Sequence, residues 1–485
     1  MAADNSHIIQ KMSVRLTAGS KESHGHYSEV LRKIAQQSVE QLEPVLDRVP
    51  ADTYFHIDTL NVEVNTTESE LENLQGKIER ALADKLREVL NIGERKGKAE
   101  PGYTATKVSA EKRAEELLVH FLKTGRLAWW ATPQDMAGAR ERMDKLSPPD
   151  WVAFMRPIIR QSPSVLKRYV NQWPRKSVLV TIKKIVKERF GSESIVDLLN
   201  GLLAFDKLKR PAYRKIEGVE PGIYERVLGD LIIKKGEHLI AANMIQSWLQ
   251  VFGREPNQNG EQLNELKKFL NRQKLVSHGL KEVLEKTYPQ KLPDDTAESK
   301  AGEKVSENED KFFVTDEKES VTVQNGGIVI LHSYLSRLFS RLGYLENGEF
   351  RNQSTRERAV CALHFLATGE AEFLEEELIL TKFLCGWPQD EPINRYLDFS
   401  DYEREECVKL LSSVISHWKA LKNTSVNGLR SSFLQREAIL KKEAFGYTLY
   451  VEEFTHDILL QRLPWSISVV KLTWMDEMLT VQWRF

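Results

Sequence analysis

Residues 325–345 read NGGIVILHSYLSRLFSRLGYL, and this stretch sets the pattern for the carboxyl-terminal part of the chain. Two adjacent glycines, Gly326 and Gly327, precede an apolar run, which indicates a tight turn that leads into a helix. Over residues 328–342 the apolar side chains recur every three or four positions, the spacing of a helix with one buried face. We therefore predict an amphipathic helix over these residues.

A second informative stretch is residues 417–437, HWKALKNTSVNGLRSSFLQRE. Asn423-Thr424-Ser425 closes a helix that ends in Trp418 and Leu421, and short polar side chains of this kind also cap the start of a following helix. The buried face predicted for that next helix comprises Val426, Leu429, Phe433 and Leu434.

The last part of the chain contains three short runs that are typical of strands. They are residues 447–452, 467–472 and 479–483, in which apolar side chains alternate or run together. They predict a small antiparallel sheet of three strands beside the carboxyl-terminal helices.

Residues 105–288 have helical patterns that prolines interrupt. The interruptions are Pro148-Pro149, Pro157, Pro163, Pro174, Pro211, Pro221 and Pro256. A proline inside a helix removes a hydrogen bond and clashes with the preceding turn, which costs ~3 kcal/mol or more. A single rod is therefore excluded, and the pattern favours short helices stacked as pairs or as a solenoid-like array.

The amino-terminal region is predicted to be a small α+β unit. Alternating apolar residues at 12–16 and 55–64 indicate two half-buried strands with a helix between them. Thr67-Glu68-Ser69-Glu70 matches a capping box, in which a hydroxyl and a carboxylate satisfy free N–H groups at a helix start. The helix that follows carries a wide apolar stripe.

These patterns divide the 485 residues into separate parts. We predict an α+β unit at 1–93, a linker at 94–104, a helical middle domain at 105–288, an acidic disordered linker at 289–325 and an α+β domain at 326–485. The acidic linker carries almost no large apolar side chain before Phe312-Phe313, too few to offset its chain entropy. The predicted fold class is mainly α, with a helical middle of short helices and α+β regions at both ends.

The net charge of −1 conceals an uneven distribution of charge. The net charge, Lys plus Arg minus Asp and Glu, is −4 for residues 1–106, +12 for residues 107–290 and −9 for residues 291–485. A basic middle is compatible with an acidic partner or nucleic acid, but solvated helix faces are the simpler interpretation. The clearest basic face comprises Lys183, Lys184, Lys187 and Arg189. The residues between them, Ile182, Ile185 and Val186, are predicted to form the buried side of the same helix. We predict no binding of nucleic acid.

The sequence contains no catalytic motif that we recognise and no cluster of cysteine and histidine with metal-ligand spacing. An acidic cluster at residues 370–377 is predicted to be solvated. The cysteines, Cys361, Cys385 and Cys407, lack CxxC spacing and are predicted to be reduced thiols in the core. We therefore predict no catalytic residue, no metal site and no cofactor.

One internal repeat is visible. Residues 118–125 and 362–369 match at six of eight positions when Val119 and Leu363 are treated as equivalent. Each stretch ends a predicted helix at a glycine, which can adopt the left-handed conformation, and the second helix is predicted to begin at Ser354-Thr355-Arg356-Glu357. His120 and His364 lie on the apolar side of the two helix ends, so packing is favoured over catalysis.

The first residues, MAADNSHIIQKMSV, lack the basic and apolar stretches of a secretion signal. No run of about 18 apolar residues occurs in the chain. We predict no membrane segment and a cytoplasmic location during assembly.

Three runs in the carboxyl-terminal domain together resemble the contractile injection system tape measure family. The first is residues 325–339 with 342–345, the second is residues 417–430 with 432–437, and the third is Leu463-Pro464-Trp465-Ser466-Ile467-Ser468. Residues 124–130, TGRLAWW, are similar to a Gly-x-Leu-Pro-Trp-Trp feature of the same family, with Ala128 where proline is usual.

The resemblance implies a structural, non-enzymatic protein of a phage-tail-like particle. Such a protein lies in the lumen of the inner tube and sets the length to which tube and sheath polymerise. The implied partners are inner tube, baseplate or tube-terminator proteins, with self-association left open and no membrane involved. The predicted interaction surface comprises Lys422, Asn423, Thr424, Ser425, Val426, Gly428, Leu429, Arg430, Phe433, Arg436, Leu463, Pro464, Trp465 and Ile467.

Two other functions compete with the ruler. A compact module that nucleates the tube at the baseplate, or helps to load cargo, would also suit α+β ends and a solenoid-like middle. An enzyme that uses His120 or His364 is the least favoured hypothesis.

Overall fold

The computed structural model describes residues 54–57, 60, 62–64, 74–89, 105–128, 130–209, 220–252, 259–272, 320–421, 423–443 and 446–483. The chain folds as two compact units. The first unit comprises Met1–Val119 and Leu127–Arg142, and the second comprises His120–Arg126 and Met143–Phe485. These units cut across the parts predicted from the sequence, and that finer division remains a prediction.

The first unit contains a two-stranded antiparallel sheet and helices. Strand β1 is Tyr54–Ile57, α1 is Leu74–Val89 and β2 is Ala105–Val108, while α2 (Ala110–Thr124) and α3 (Pro133–Lys145) begin in this unit and end in the second. The strand predicted over 55–64 is shorter than expected, since its partner starts at Ala105, opposite Ile57. The predictions for residues 12–16, for the helix after them, for 67–70, for 94–104 and for residues 289–319 of the acidic linker lie outside the described residues.

The middle helices belong to the second unit and are short, as predicted. They are α4 (Pro148–Gln161), α5 (Ser164–Gln172), α6 (Arg175–Phe190), α7 (Ser194–Lys209), α8 (Glu220–Ile232), α9 (Glu237–Phe252) and α10 (Asn259–Arg272). Their core contains stacked aromatic rings: the Trp151 and Tyr169 centroids lie 5.3 Å apart, and those of Tyr169 and Trp173 lie 5.0 Å apart. Burial of such rings stabilises helices that are individually too short to persist alone.

The prolines at the described helix starts act as predicted, but Pro157 does not. Pro211 and Pro256 lie outside the described residues. Pro148 and Pro149 occupy the first positions of α4, where a missing N–H does no harm, and the Ser147 side chain caps the helix by accepting a hydrogen bond from the Asp150 N–H. Helix α4 continues through Pro157, so the predicted interruption there is wrong. The reason is packing, because buried side chains on both sides of the proline hold the helix: Trp151, Met155 and Ile158.

The carboxyl-terminal part of the second unit begins at Ser320. Its helices are α11 (His332–Arg341), α12 (Gln353–Thr368), α13 (Ile379–Leu384), α14 (Asp401–His417) and α15 (Val426–Leu429). Tighter 3-10 turns lie at Gly326–Leu331, Glu375–Leu378, Lys419–Leu421 and Thr455–Arg462, and a wider π-helical turn at Arg430–Leu434 follows α15. The helix predicted over 328–342 therefore begins later, at His332. All residues of Gly326–Leu331 are buried, so this turn is a core element rather than an amphipathic one.

The sheet of this part has five strands in the order β3-β6-β7-β9-β8. The strands are β3 (Ser320–Val323), β6 (Ala438–Glu443), β7 (Gly446–Val451), β8 (Val469–Val470) and β9 (Leu479–Gln482), and a separate hairpin joins β4 (Leu345–Glu346) to β5 (Glu349–Phe350). The three predicted strands are present, but the sheet is mixed rather than antiparallel, because β7 and β9 run parallel. Strand β3 lies within the stretch predicted as a linker and pairs with β6.

Helix α12 begins at a different cap from the one predicted. Asn352 is the N-cap, and its side chain accepts a hydrogen bond of 2.9 Å from the Thr355 N–H. Thr355 Oγ1 in turn lies 3.2 Å from the Asn352 N–H and accepts its hydrogen bond. A capping box is therefore present, but it starts before the predicted Ser354, because an asparagine caps a helix as well as a serine does.

Candidate interaction surface

The Gly326-Gly327 turn packs against the backbone of residues 433–438. The Gly326 N–H donates a 2.8 Å hydrogen bond to the Arg436 carbonyl. A Cβ atom on Gly326 would stand 2.5 Å from the Cβ of Ala438, and one on Gly327 would overlap the Phe433 carbonyl. Only glycine fits at these two positions, and the first two runs that carry the family resemblance are therefore packed on each other.

Trp465 joins the third run to the first. Its Nε1 atom donates a 2.9 Å hydrogen bond to the Ile330 carbonyl, and its ring meets that of Tyr334 edge on, with centroids 5.1 Å apart. Tyr334 Oη in turn lies 2.8 Å from His417 Nδ1. The three runs, separate in sequence, thus converge on the turn at Gly326–Leu331.

Arg436 is held in a buried cage beside this junction. Its Nη2 atom donates a 2.7 Å hydrogen bond to Asp457 Oδ1, and its guanidinium carbon lies 3.9 Å from the Phe454 ring centroid. Trp483 Nε1 donates a 2.9 Å hydrogen bond to Asp457 Oδ2. A paired and stacked arginine of this kind fixes the geometry of the segment that carries it.

The predicted interaction residues divide into surface and core. Ser425 caps α15 as predicted, because its Oγ accepts a 3.0 Å hydrogen bond from the Gly428 N–H. Exposed residues are Asn423, Ser425 and Pro464; half-buried ones are Thr424, Val426, Gly428, Leu463 and Trp465. Buried residues are Leu429, Arg430, Phe433, Arg436 and Ile467, and Lys422 lies outside the described residues. The buried members support the fold, and docking by the exposed members remains a prediction.

A buried charge cluster connects the middle helices to the carboxyl-terminal segment. Arg168 Nε donates a 3.1 Å hydrogen bond to Glu375 Oε2, and Lys382 Nζ donates a 2.6 Å hydrogen bond to Glu375 Oε1. Burial lowers the pKa of Lys382, although Glu375 opposes this effect. Glu375 belongs to the acidic cluster predicted to be solvated, and for this residue the prediction is wrong because its partner Arg168 comes from a distant helix.

Further contacts extend this connection along α5. The Gln172 side chain donates a 2.7 Å hydrogen bond to the Ile393 carbonyl, and Tyr396 Oη donates a 3.0 Å hydrogen bond to the Trp173 carbonyl. Lys167 forms a salt bridge with Glu391. The middle helices and residues 375–396 are therefore fastened by several polar contacts that bury backbone carbonyls on both sides.

The two halves of the internal repeat end in the same way. Gly125 and Gly369 adopt left-handed φ angles of 72° and 85°, as predicted. Each helix end is also engaged by a buried arginine: Arg168 Nη1 donates a 2.5 Å hydrogen bond to the Leu122 carbonyl, and Arg430 Nε donates a 3.2 Å hydrogen bond to the Leu366 carbonyl. Leu122 and Leu366 occupy equivalent positions in the repeat.

The histidine and cysteine side chains pack in the core. His364 is buried, its Nε2 lies 3.2 Å from the Glu372 carbonyl oxygen, and its ring meets Phe373 edge on. Burial lowers the pKa of His364. Cys361, Cys385 and Cys407 are free and buried, as predicted, and burial raises the pKa of each thiol. Among the described residues no group of acidic, histidine and cysteine side chains is placed to hold a metal ion.

Comparison with known proteins gives one family match. The family model described as contractile injection system tape measure protein matches residues 6–483. No curated protein and no solved structure matches the chain. None of the helices in the described part of the chain is long and apolar enough to cross a membrane.

Proposed function

Because the chain belongs to the contractile injection system tape measure family, we propose that it is the structural protein that sets the length of the inner tube and sheath in a contractile particle. The family is structural, and no catalytic step is part of the proposal. The chain acts as a ruler during cytoplasmic assembly and is then enclosed in the lumen of the tube. Its partners are tube and sheath components, with baseplate and tube-terminator proteins at the two ends.

The observation that carries this proposal is the extent of the match together with the junction of its most specific runs. The match spans residues 6–483. The Gly326-Gly327 turn packs on the segment that follows Ser425, and Trp465 hydrogen-bonds to the same turn at Ile330. These contacts tolerate few other residues. A shared and tightly constrained carboxyl-terminal module supports a shared role for the whole chain.

The structure limits how a length can be encoded. A single helix of all 485 residues would span roughly 730 Å at ~1.5 Å per residue. The second unit is instead compact, and its middle helices are fastened to residues 375–396. The ruler is therefore not one continuous helix. Its measuring length has to come from folded units in series or from the segments that join them.

A strain that lacks this chain tests the proposal. Particles are purified, and the lengths of their tubes are measured in electron micrographs, with the wild-type chain supplied at two expression levels as the control. We expect the strain without the chain to lose tubes of defined length. The added chain should restore one length at both expression levels, while the number of particles rises with expression. Particles of normal length and number without the chain would contradict the proposal.

A further inference from the structure

The outer face of the five-stranded sheet exposes an apolar pair next to two acidic residues. Ile439 and Tyr450 face each other across β6 and β7 and are 46% and 36% exposed. Glu437 and Glu452 lie two residues further, just before β6 and just after β7, and the Glu452 N–H donates a 2.9 Å hydrogen bond to the Glu437 carbonyl. Both carboxylates are exposed. We name these four residues the acidic sheet face.

The two carboxylates of the acidic sheet face stand outside any salt bridge of the described chain. The buried Arg436 guanidinium attracts Glu452, but its hydrogen bond goes to Asp457. Two carboxylates placed opposite each other on neighbouring strands repel. Neither Glu437 nor Glu452 forms a salt bridge with any residue in the described ranges. The nearest lysine on the same face of β6, Lys441, is already paired with Glu443 at 2.8 Å. A cationic partner would therefore relieve the repulsion while it covers the apolar pair.

Helix α6 carries a surface of the opposite kind. Lys176, Val180, Lys183 and Lys187 are spaced so that they share one side of the helix, and all four are exposed, with Val180 at 46%. The other side buries Ile182 and Val186 in the core of the middle helices. Across the described part of the chain, none of the three lysines forms a salt bridge. We name these four residues the basic stripe.

The two surfaces also agree in spacing. Lys183 and Lys187 are four positions apart on a helix, which separates their Cβ atoms by about 5–6 Å. Directly opposed residues such as Glu437 and Glu452 have Cβ atoms about 4.5–5.5 Å apart. Two lysines one turn apart can thus face the two carboxylates.

We propose that the basic stripe of one copy of this chain docks on the acidic sheet face of a second copy. Both surfaces are exposed within a single chain, so they do not cover each other there. The contact joins two different surfaces, so each pair of copies still has one free basic stripe and one free acidic sheet face. Further copies therefore add head to tail. This association is independent of the proposed function. If that function holds, copies in series provide a ruler longer than one folded chain.

Sedimentation of the purified full-length chain tests the association. The wild-type chain is expected to self-associate with increasing concentration, and to do so less in ~1 M salt, where the Debye length is about 3 Å. The variants K183E/K187E and E437K/E452K should each associate about tenfold more weakly or worse, because attraction between two charge pairs becomes repulsion. K112E/K268E changes the net charge equally at exposed lysines outside the proposed contact and should behave like the wild type.

Mixing the two charge-reversed variants separates a lost contact from a damaged fold. The K183E/K187E chain has an acidic surface on α6, and the E437K/E452K chain has a basic surface on the sheet. The equimolar mixture should therefore recover association that neither variant shows alone. The Tm of each variant, measured separately, should equal that of the wild type. The proposal is overturned if the wild-type chain stays monomeric at every concentration, if the reversed variants associate as well as the wild type, or if the mixture recovers nothing.

Discussion

Gly327 packs directly on the backbone of Phe433, so closely that an added Cβ atom would stand 2.7 Å from the Phe433 carbonyl carbon. Backbone atoms cannot move aside as the end of a flexible side chain can. The contact joins the turn at Gly326–Leu331 to the segment after α15, and both lie in the core of the carboxyl-terminal part. This single approach therefore constrains two segments that are distant in sequence.

Replacement of Gly327 by alanine should destabilise the second unit. The added methyl group overlaps the Phe433 carbonyl, and forcing a group into a packed core costs about 3 kcal/mol or more when backbone has to shift. Gly222→Ala is the matched control, because a Cβ at this exposed helical glycine meets nothing within 4 Å. It should leave stability unchanged or raise it by up to about 1 kcal/mol. Urea unfolding measures both variants, and similar stability of the two would contradict the close contact.

Local patterns predicted the helix faces and caps of this fold well. Ile182, Ile185 and Val186 are buried while Lys183 and Lys187 are exposed, as the spacing on α6 indicates. Ser425 and Gly369 cap their helices as predicted. These features depend on residues three or four positions apart, so a sequence contains all the information they need.

Long-range pairing could not be predicted in the same way. Strand β3 finds its partner β6 far along the chain, and the parallel pairing of β7 with β9 depends on the connection through Thr455–Arg462. Glu375 is buried because Arg168, 207 residues earlier, supplies its counter-charge. Nothing in the neighbouring residues of Glu375 signals that partner, so the local pattern predicted a solvated acid. Two of the predicted interaction residues, Arg430 and Arg436, are likewise buried with partners at distant positions, the Leu366 carbonyl and Asp457.

Removal of the Glu375 charge should weaken the attachment of the middle helices. In Glu375→Gln, two buried cations, Arg168 and Lys382, lose the carboxylate to which both are hydrogen-bonded, and breaking a buried ion pair in this way costs about 3–5 kcal/mol. Glu372→Gln removes a charge from the same acidic cluster at an exposed position and should change stability by no more than about 0.5 kcal/mol. The two variants are compared by urea unfolding. Equal stabilities would show that the buried cluster does not fasten the two parts.

His364 should make the fold sensitive to mild acid. Burial holds the pKa of His364 below its usual value, while Glu377 opposes the shift. A lowered pKa favours the neutral ring in the folded state, so this contribution to stability is complete above the unfolded pKa, about 6.5, and is lost as the pH falls below it. His332 shifts in the same direction, and its largest cause is also burial.

The corresponding experiment compares stability at two pH values. The free energy of unfolding of the wild-type chain should fall between roughly pH 7.5 and 5.5, by up to about 1.4 kcal/mol per pH unit for each such histidine. His364→Asn should show a smaller fall over the same interval than the wild-type chain. An unchanged pH dependence in His364→Asn would refute the assignment.

Trp465 should contribute to stability, because its Nε1 atom pairs with the buried Ile330 carbonyl. Trp465→Phe keeps an aromatic ring but removes the donor, and we expect a loss of about 1 kcal/mol. Pro464→Ala, at the exposed neighbour, should have little effect on folding. Thermal unfolding distinguishes the two, and identical Tm values would mean that the hydrogen bond is not formed in solution.

Tube length in particles built with chains of altered length tests the ruler most directly. Deletions and insertions confined to residues 291–311 avoid every described helix and strand, so the sequence of each described element is unchanged. The account predicts shorter tubes for deletions and longer ones for insertions in electron micrographs. A change in tube length of more than about 3.6 Å per residue added or removed would exceed the reach of one extended chain and would require several copies in series. Tubes of unchanged length, formed in smaller numbers, would contradict the ruler and favour nucleation instead.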